Sequence, residues 1–237
     1  MLKYIDYDKM GRGQHGWLDS HFHFSFAEYY NPDNVRFGVL RVVNDDRVAP
    51  GAGFDTHPHQ NMEIVSYVVE GELTHADSME NKHTLTRGQA QYMSAGTGVF
   101  HSEHNWGEKP LRFLQIWILP DKEGYEPNYG DHRFEWEERA DKWLPIASGD
   151  ASSPAPIHIH ADVNIFAAEI TKGASLAFLV GKDRQAYLAL IEGAAQVVGR
   201  TTGHALSAGD AMEIVEEDIT AAAKDTAHVL VLEMKKA

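Results

Sequence analysis

The chain has 237 residues, 43% of them hydrophobic, so it is long enough for one large or two modest domains with a buried core. Its formal net charge of −14 disfavours extended contact with nucleic-acid phosphates or anionic membranes. The absence of cysteine excludes disulfides, thiolate metal sites and cysteine nucleophiles.

The N-terminal residues 1–8 show no apolar segment of the kind found in secretory signals. No stretch of the chain approaches the roughly 18 uninterrupted apolar residues that a transmembrane helix needs. We therefore expect a cytoplasmic protein that contacts neither membranes nor nucleic acids directly.

Short apolar runs separated by turn residues follow one another along the chain and predict strands. The clearest runs are residues 64–69, 113–119, 187–191 and 228–232. Glycines lie where turns are needed, at Gly71, Gly88, Gly193 and Gly209. Only residues 135–143 favour a helix, and a short one, so the pattern predicts an all-β fold.

An internal repeat is visible between the two halves. Residues 66–71 resemble residues 188–193 at an offset of 122, and residues 83–90 resemble residues 204–211 at an offset of 121. Two copies of one β-barrel unit produce such a pattern. We place an N-terminal domain at residues 1–135 and a C-terminal domain at residues 136–237, joined through a stretch rich in Pro, Gly, Asp and Ser.

Two glycine-bracketed segments of the first half carry candidate metal ligands. The first contains His57 and His59, and the second contains His101 and Glu103. Residues two apart in a strand point to the same side, so each pair can converge on one ion. Positions shifted from these by 121 or 122 residues hold no ligand set. The sequence therefore predicts a single metal site, in the N-terminal domain.

A lone pair of histidines two residues apart is weak evidence, because 14 His in this chain produce about one such pair by chance. The chain has two further pairs, His21/His23 and His158/His160. Each alternates with Phe or Ile, and we expect both to lie on the outward face of a strand. His75 and His83 flank a predicted hairpin, and we expect them to be exposed to solvent.

The two ligand segments resemble the paired signatures of the cupin superfamily. The first signature is matched at Gly51, His57, His59 and Glu63, with its closing glycine, Gly71, one residue late. The second is matched at Gly88, Gly96, Gly98, His101 and Asn105. Ser94 stands where the superfamily usually has proline.

More narrowly, the chain resembles the pirin family, and within it the bacterial pirin-like quercetinases. The similarity covers about the first 135 residues and then fades. It is carried by residues 57–59, 77–79, 93–98 and 101–103, and by residues 16–20, 24–26, 30 and 40–42. The resemblance implies a bicupin, that is, two tandem β-barrel domains of the jelly-roll type.

In pirins three His and one Glu hold the metal, so the resemblance assigns the ligands to His57, His59, His101 and Glu103. Glu63, at the glutamate position of the general cupin signature, is the alternative fourth ligand. Imidazole and carboxylate groups suit Fe, Ni, Cu, Co or Mn better than Ca or Mg. Fe(II) is the usual occupant in the family, with Ni, Cu, Co, Mn and Zn as alternatives.

The resemblance also implies a reaction, in which dioxygen cleaves the heterocyclic ring of a flavonol such as quercetin and carbon monoxide is released. Glu103 would act as ligand and as the base that takes the flavonol hydroxyl proton. The alternative is an iron-dependent regulatory protein that binds protein partners without turnover. The sequence carries no signal for an oligomer, and we expect a monomer.

Overall fold

The structure is a computed structural model that describes residues 1–236. Within this range the regular elements are strands, with two short 3-10 helices at Tyr7–Lys9 and Trp136–Arg139. No helix in the described part of the chain is long and apolar enough to cross a membrane. The all-β fold predicted from the sequence is confirmed.

Each of the four predicted apolar runs lies in a strand, except that Leu119 follows the last residue of its strand. The first twelve strands are β1 (Leu2–Ile5), β2 (Gly11–Gln14), β3 (Leu18–Phe22), β4 (Leu40–Val48), β5 (Ala52–His59), β6 (Glu63–Glu70), β7 (Glu72–Asp77), β8 (Lys82–Thr86), β9 (Ala90–Ser94), β10 (Val99–Asn105), β11 (Leu111–Ile118) and β12 (Asn128–His132). The next eight are β13 (Leu144–Ser148), β14 (Ile157–His158), β15 (Val163–Ile170), β16 (Ser175–Phe178), β17 (Arg184–Val198), β18 (Gly203–Ser207), β19 (Ala211–Val215) and β20 (Ile219–Lys235).

The helix expected over residues 135–143 is reduced to the 3-10 turn at Trp136–Arg139. Ala140 is already extended, with φ −70° and ψ 114°. Asp141 then adopts a positive φ of 50°, a left-handed conformation that cannot continue a helix. The helical pattern therefore ends after one turn.

The chain divides into two compact units. The N-terminal unit comprises residues 10–134 and 159–161. The C-terminal unit comprises residues 1–9, residues 135–158 and the chain from residue 162 onward. β1 belongs to the C-terminal unit because it pairs with β19.

The N-terminal unit contains two antiparallel sheets that face each other. The larger has seven strands in the order β12-β9-β6-β11-β4-β3-β2, and the smaller has four in the order β5-β10-β7-β8. Apolar side chains from both sheets pack together, with Leu73 and Leu85 of the small sheet against Val68 and Phe113 of the large one. This sandwich leaves the inner face of the small sheet pointing at the large sheet.

The C-terminal unit is built on one nine-stranded sheet in the order β1-β19-β17-β20-β15-β13-β14, with β16 beside β20 and β18 beside β17. Its two long strands, β17 and β20, pair over most of their length with several register shifts. Such shifts bend a sheet, so the long pair can curve around the apolar core of this unit.

The predicted repeat is confirmed by hydrogen bonds that recur in both units. Gly88 donates its N–H to the carbonyl of Val68 at 2.8 Å, and Gly209 donates to the carbonyl of Leu190 at 2.7 Å. Both glycines have a positive φ, 79° and 96°, which suits glycine in a tight turn. One supersecondary unit is therefore used twice.

Candidate metal centre

Two neighbouring strands of the small sheet carry the predicted ligands. β5 presents His57 and His59, and β10 presents His101 and Glu103. In the antiparallel register His101 lies directly opposite His57, and the register shifts between His101 and Glu103. Gly96, in the turn before β10, has a φ of 43°, and a Cβ there would overlap the carbonyl oxygen of Tyr125. Glycine is needed for this approach to β10.

The three imidazoles of His57, His59 and His101 form one group. Their ring centroids are 4.5 to 4.9 Å apart, and their ligand nitrogens lie within 4.8 Å of one another. The Nε2 atoms of His57 and His101 are 3.1 Å apart. Two nitrogens bound at 2.0–2.1 Å to one ion, at right angles, lie about 3.0 Å apart. The spacing therefore fits a shared ion.

The protonation of these rings also fits metal binding. His57 donates its Nδ1 hydrogen to the carbonyl oxygen of Asp55 at 2.7 Å, which leaves the Nε2 lone pair free. Burial and the neighbouring His101 and His57 lower the pKa of His59 to about 4. Burial, His57 and His75 lower the pKa of His101 to about 3. Both rings are therefore neutral near pH 7, and neutral imidazole is the ligating form.

Glu103 is buried and held by three donors from the large sheet. Its Oε1 accepts hydrogen bonds from Ser66 Oγ at 2.7 Å and Gln91 Nε2 at 2.8 Å. Its Oε2 accepts one from Gln115 Nε2 at 2.5 Å. The three donors are neighbours across adjacent strands, because Ser66 lies opposite both Gln91 and Gln115. This polar row fixes the Glu103 carboxylate on the inner face of the small sheet.

The four predicted ligands fall into two overlapping groups. Glu103 belongs with His101 and His75, whose ligand atoms also lie within 4.8 Å of one another. It is not grouped with His57 and His59 at that distance. His101 is the residue common to both groups, so the carboxylate adjoins the three imidazoles on the His101 side.

The expectation that His75 is exposed is wrong. Its side chain is fully buried, hydrogen-bonds Asp77 through Nε2 at 3.1 Å, and stacks on Tyr129 with centroids 4.5 Å apart. The signal missed is the alternation in β7, where His75 shares a strand face with the buried Leu73. His83, by contrast, is exposed, as expected.

The expectation for His21 and His23 is also wrong, because both are buried. Burial lowers the pKa of His23 to about 4. Neither belongs to a metal-ligand group among the described residues. His158 is exposed, whereas His160 is partly buried against Glu63.

Glu63 is buried away from the imidazole group. It accepts hydrogen bonds from Ser94 Oγ at 2.6 Å and from the backbone N–H of His160 at 3.1 Å, and His160 Nδ1 lies 3.3 Å away. Ser94 is the residue that replaces the usual proline of the cupin signature. The replacement supplies a hydroxyl to Glu63, so this carboxylate already has its own partners.

A cavity of about 500 Å³ opens in front of His57, His59 and Glu103. Its walls are largely apolar and aromatic, with Trp17, Leu18, Phe22, Phe26, Phe54 and Trp117 among them. Cavities of about 300–1,000 Å³ with mostly apolar walls and a few convergent polar groups typically bind small molecules. The site can therefore hold a planar aromatic compound against the ligand side chains.

Several polar groups also line this cavity. Asp46 is buried and accepts a hydrogen bond from Ser20 Oγ. Burial raises the pKa of Asp46 to about 7, with the charges of Asp45 and Glu103 adding to the effect and the Ser20 hydroxyl opposing it. Asn44 Oδ1 and Trp117 Nε1 are buried with no hydrogen-bond partner. These groups were not found by sequence reasoning.

Two all-β units with an inward-facing cluster of three imidazoles and a carboxylate define a bicupin with a candidate metal site. The comparisons agree, because residues 6–118 match the family model of pirin and residues 145–234 match that of the quercetinase C-terminal cupin domain. A pirin-like protein of Caulobacter vibrioides is 39% identical over 98% of this chain and 99% of its own. The chain belongs to the pirin family, as the sequence predicts.

Two further relatives bear on the site. A quercetin 2,3-dioxygenase of Escherichia coli K12 is 38% identical over 81% of this chain and 82% of its own. The crystal structure of the bacterial pirin YhhW of Escherichia coli in complex with nickel(II) superposes with a TM-score of 0.92 at 34% identity, covering 100% of both chains. A relative with this fold therefore binds a divalent transition metal.

Proposed function

We propose that this protein is a metal-dependent dioxygenase that cleaves the heterocyclic ring of a flavonol such as quercetin with release of carbon monoxide. The observation that carries the proposal is the opening of His57, His59 and Glu103 onto an aromatic cavity large enough for such a compound. The quercetin dioxygenase among the relatives supports the same substrate class.

The proposed ligands are His57, His59, His101 and Glu103. Imidazole and carboxylate donors fit Fe(II), and Ni, Cu, Co, Mn and Zn are alternatives. When bound, a divalent transition metal supplies positive charge that favours an ionised substrate hydroxyl, and it supplies the site for dioxygen chemistry. Glu63 remains the alternative ligand, although its bonds to Ser94 and His160 support Glu103 instead.

The walls of the cavity orient the substrate and exclude water. Trp17 and Phe54 contact each other edge to face, with centroids 5.3 Å apart, and Trp117 meets His59 edge to face at 4.8 Å. Flat rings of this kind stack on planar ligands. The unpaired Trp117 Nε1 adds a hydrogen-bond donor close to His59 that suits a ligand oxygen.

Glu103 is the proposed base for the flavonol hydroxyl. Its Oε1 already accepts two hydrogen bonds, whereas Oε2 accepts one, from Gln115. A carboxylate oxygen has two lone-pair positions, so Oε2 retains one. Glu103 would offer that position to the substrate proton by loosening from the metal when substrate binds. Gln115 and Glu103 both line the cavity, which gives a bound hydroxyl access to that oxygen.

The test is dioxygen uptake by protein reconstituted anaerobically with Fe(II) and then mixed with quercetin, beside a His101→Ala control. We expect uptake together with loss of the flavonol absorbance, and neither in the control. Absence of uptake with Fe, Ni, Cu, Co or Mn at full occupancy would overturn the proposal and favour the regulatory hypothesis. Parallel measurements of metal occupancy in Glu103→Gln and Glu63→Gln test which carboxylate is the fourth ligand. Loss of metal in the Glu63 variant alone would contradict the assignment of Glu103.

A further inference from the structure

One wall of the cavity carries polar side chains that the proposed reaction does not use. Ser20 on β3 and Asp46 on β4 lie directly opposite each other, and both line the cavity with Asn44. Asn44 and Asp46 are two residues apart and therefore share a strand face. Asp45 between them binds Arg112 at 2.7 and 2.9 Å and is not among the lining residues.

Asn44 continues the polar row that holds Glu103. Ser66 lies opposite Gln115 on the next strand, and Gln115 lies opposite Asn44 on the strand after that. The amide of Gln115 donates to Glu103 Oε2, and its Oε1 lies 3.0 Å from Ser66 Oγ. Asn44 has no such role, because its Oδ1 is buried with no hydrogen-bond partner. The row thus ends at the cavity wall in an amide oxygen that has no hydrogen-bond donor.

Asp46 is the second buried polar group of this wall. Only 4% of the residue is exposed, and its hydrogen-bond donor is the Ser20 hydroxyl. Among the residues that the structure describes, no Lys, Arg or His pairs with it. Buried polar groups are nearly always hydrogen-bonded, and buried charges are nearly always paired. Here an amide oxygen without a donor lies beside a buried carboxyl group without a cationic partner, in an otherwise aromatic wall. This arrangement suits a polar group of a ligand.

We propose that Ser20, Asn44 and Asp46 form a subsite that recognises a phenolic hydroxyl on a substrate ring other than the one that reacts. A hydroxyl both donates and accepts, so it can supply the hydrogen bond that the Asn44 amide lacks and engage the Asp46 carboxyl. The inference rests on the proposed function and deepens it, because it makes the protein selective for polyhydroxylated flavonols. Removing the ligand hydroxyl would again leave these buried groups unpaired.

Binding to the metal-free protein tests the subsite separately from turnover. The probes are quercetin and 3-hydroxyflavone, which share the reacting ring, while 3-hydroxyflavone lacks the other hydroxyls. Quenching of tryptophan fluorescence reports binding, since Trp17 and Trp117 line the cavity. We expect Asn44→Leu to reduce the preference for quercetin about three- to tenfold, the ordinary contribution of one hydrogen bond, and to leave 3-hydroxyflavone binding unchanged.

Two further variants keep the test decisive. Asp46→Asn preserves the size of the side chain, and we expect it also to alter quercetin binding more than 3-hydroxyflavone binding, even if Asn44→Leu fails to fold. Phe22→Leu is the control, because Phe22 lines the same wall opposite Asn44 and offers only carbon. It should change the affinity for both compounds alike.

The outcomes separate this inference from the proposed function. Equal affinity of the wild-type protein for the two compounds would overturn the subsite, as would equal changes for both compounds in the Asn44 and Asp46 variants. A shifted preference in those variants without dioxygen uptake by the metal-loaded wild type would support the subsite and refute the dioxygenase. Normal dioxygen uptake by the wild type, together with an unchanged preference for quercetin in the variants, would support the dioxygenase and refute the subsite.

Discussion

Replacing Asp46 by asparagine is expected to stabilise the protein, and to do so more strongly at pH 8 than at pH 5. Burial raises the pKa of Asp46 from 3.8 to about 7 in the folded chain. A carboxyl group with a raised folded pKa contributes stability that is complete below the unfolded pKa and is lost as the pH rises through the folded pKa. The asparagine amide does not ionise in this pH range, so the stability of the variant does not fall for this reason as the pH rises.

The size of the effect follows from the pKa shift. Each pH unit between the unfolded and folded pKa values costs about 1.4 kcal/mol of unfolding free energy. The interval from pH 5 to the folded pKa of about 7 therefore corresponds to about 3 kcal/mol. The free-energy advantage of Asp46→Asn over the wild type should grow by about that amount between pH 5 and pH 8.

The assay is denaturant unfolding of metal-free wild type and variant at the two pH values, with a chelator present so that metal binding does not add stability. The difference between the two proteins cancels the titration of histidines that both share. An advantage of the same size at both pH values would refute the reasoning, because Asp46 would then not titrate in that interval.

Asp45→Asn is the matched control on the same strand. Burial acts to raise the pKa of Asp45, but the hydrogen bonds and charge of Arg112 outweigh it and hold the pKa below its ordinary value. Removing this carboxylate weakens the two charge-assisted hydrogen bonds that the largely buried Arg112 guanidinium makes with Asp45. We expect a loss of about 3 kcal/mol, opposite in sign to the Asp46 result.

Three further predictions concern the metal and the fold. Gln115→Leu removes one donor to the proposed carboxylate ligand and should weaken metal affinity about 10- to 100-fold in a chelator competition; unchanged affinity would contradict that role. Two ligating histidines of ordinary pKa would together lower metal affinity about 100-fold between pH 7.5 and 5.5, because protons compete with the metal for the rings. The pKa values of His59 and His101 lie near 4 and 3, so metal affinity should fall by less than that amount. Gly71 has a φ of 75°, and a new Cβ there would lie 2.5 Å from a carbonyl oxygen. Gly71→Ala should therefore lower the free energy of unfolding by about 3 kcal/mol, against about 1 kcal/mol for Gly51→Ala, where nothing lies within 4 Å. Equal losses in the two variants would exclude the close contact as the cause.

The strands and the imidazole group could be predicted because each depends on short spacing. Apolar runs bounded by glycine mark strands, and His57 with His59 share a strand face whatever the rest of the chain does. The position of β10, which carries His101 and Glu103, beside β5 was predictable only through the resemblance, since no local pattern fixes which strands pair. The pairing of β1 with β19, between residues more than 200 apart, has no signal of that kind.

The errors at His21 and His23 have one physical reason. Alternation along a strand tells which residues share a face, but it does not tell whether both faces are covered. In β3 the last three residues are all buried, so the face opposite the cavity is also inside the protein. Residues such as Gln91, Ser66 and Gln115 are ordinary polar strand residues in the sequence, and their common role appears only when three strands are placed side by side.

Three of the buried carboxyl groups, Glu63, Glu103 and Asp46, lie in different environments. Glu63 has partners from Ser94 and His160 and lies outside the imidazole group. Glu103 accepts hydrogen bonds from three donors and lies beside His101, which supports its proposed roles as ligand and base. Asp46 has one hydroxyl donor and a pKa of about 7, so it exchanges a proton near neutral pH. Acid and base roles follow environment more than residue type. This cavity places a carboxylate held by three hydrogen-bond donors at one wall and a carboxyl group with a raised pKa at another.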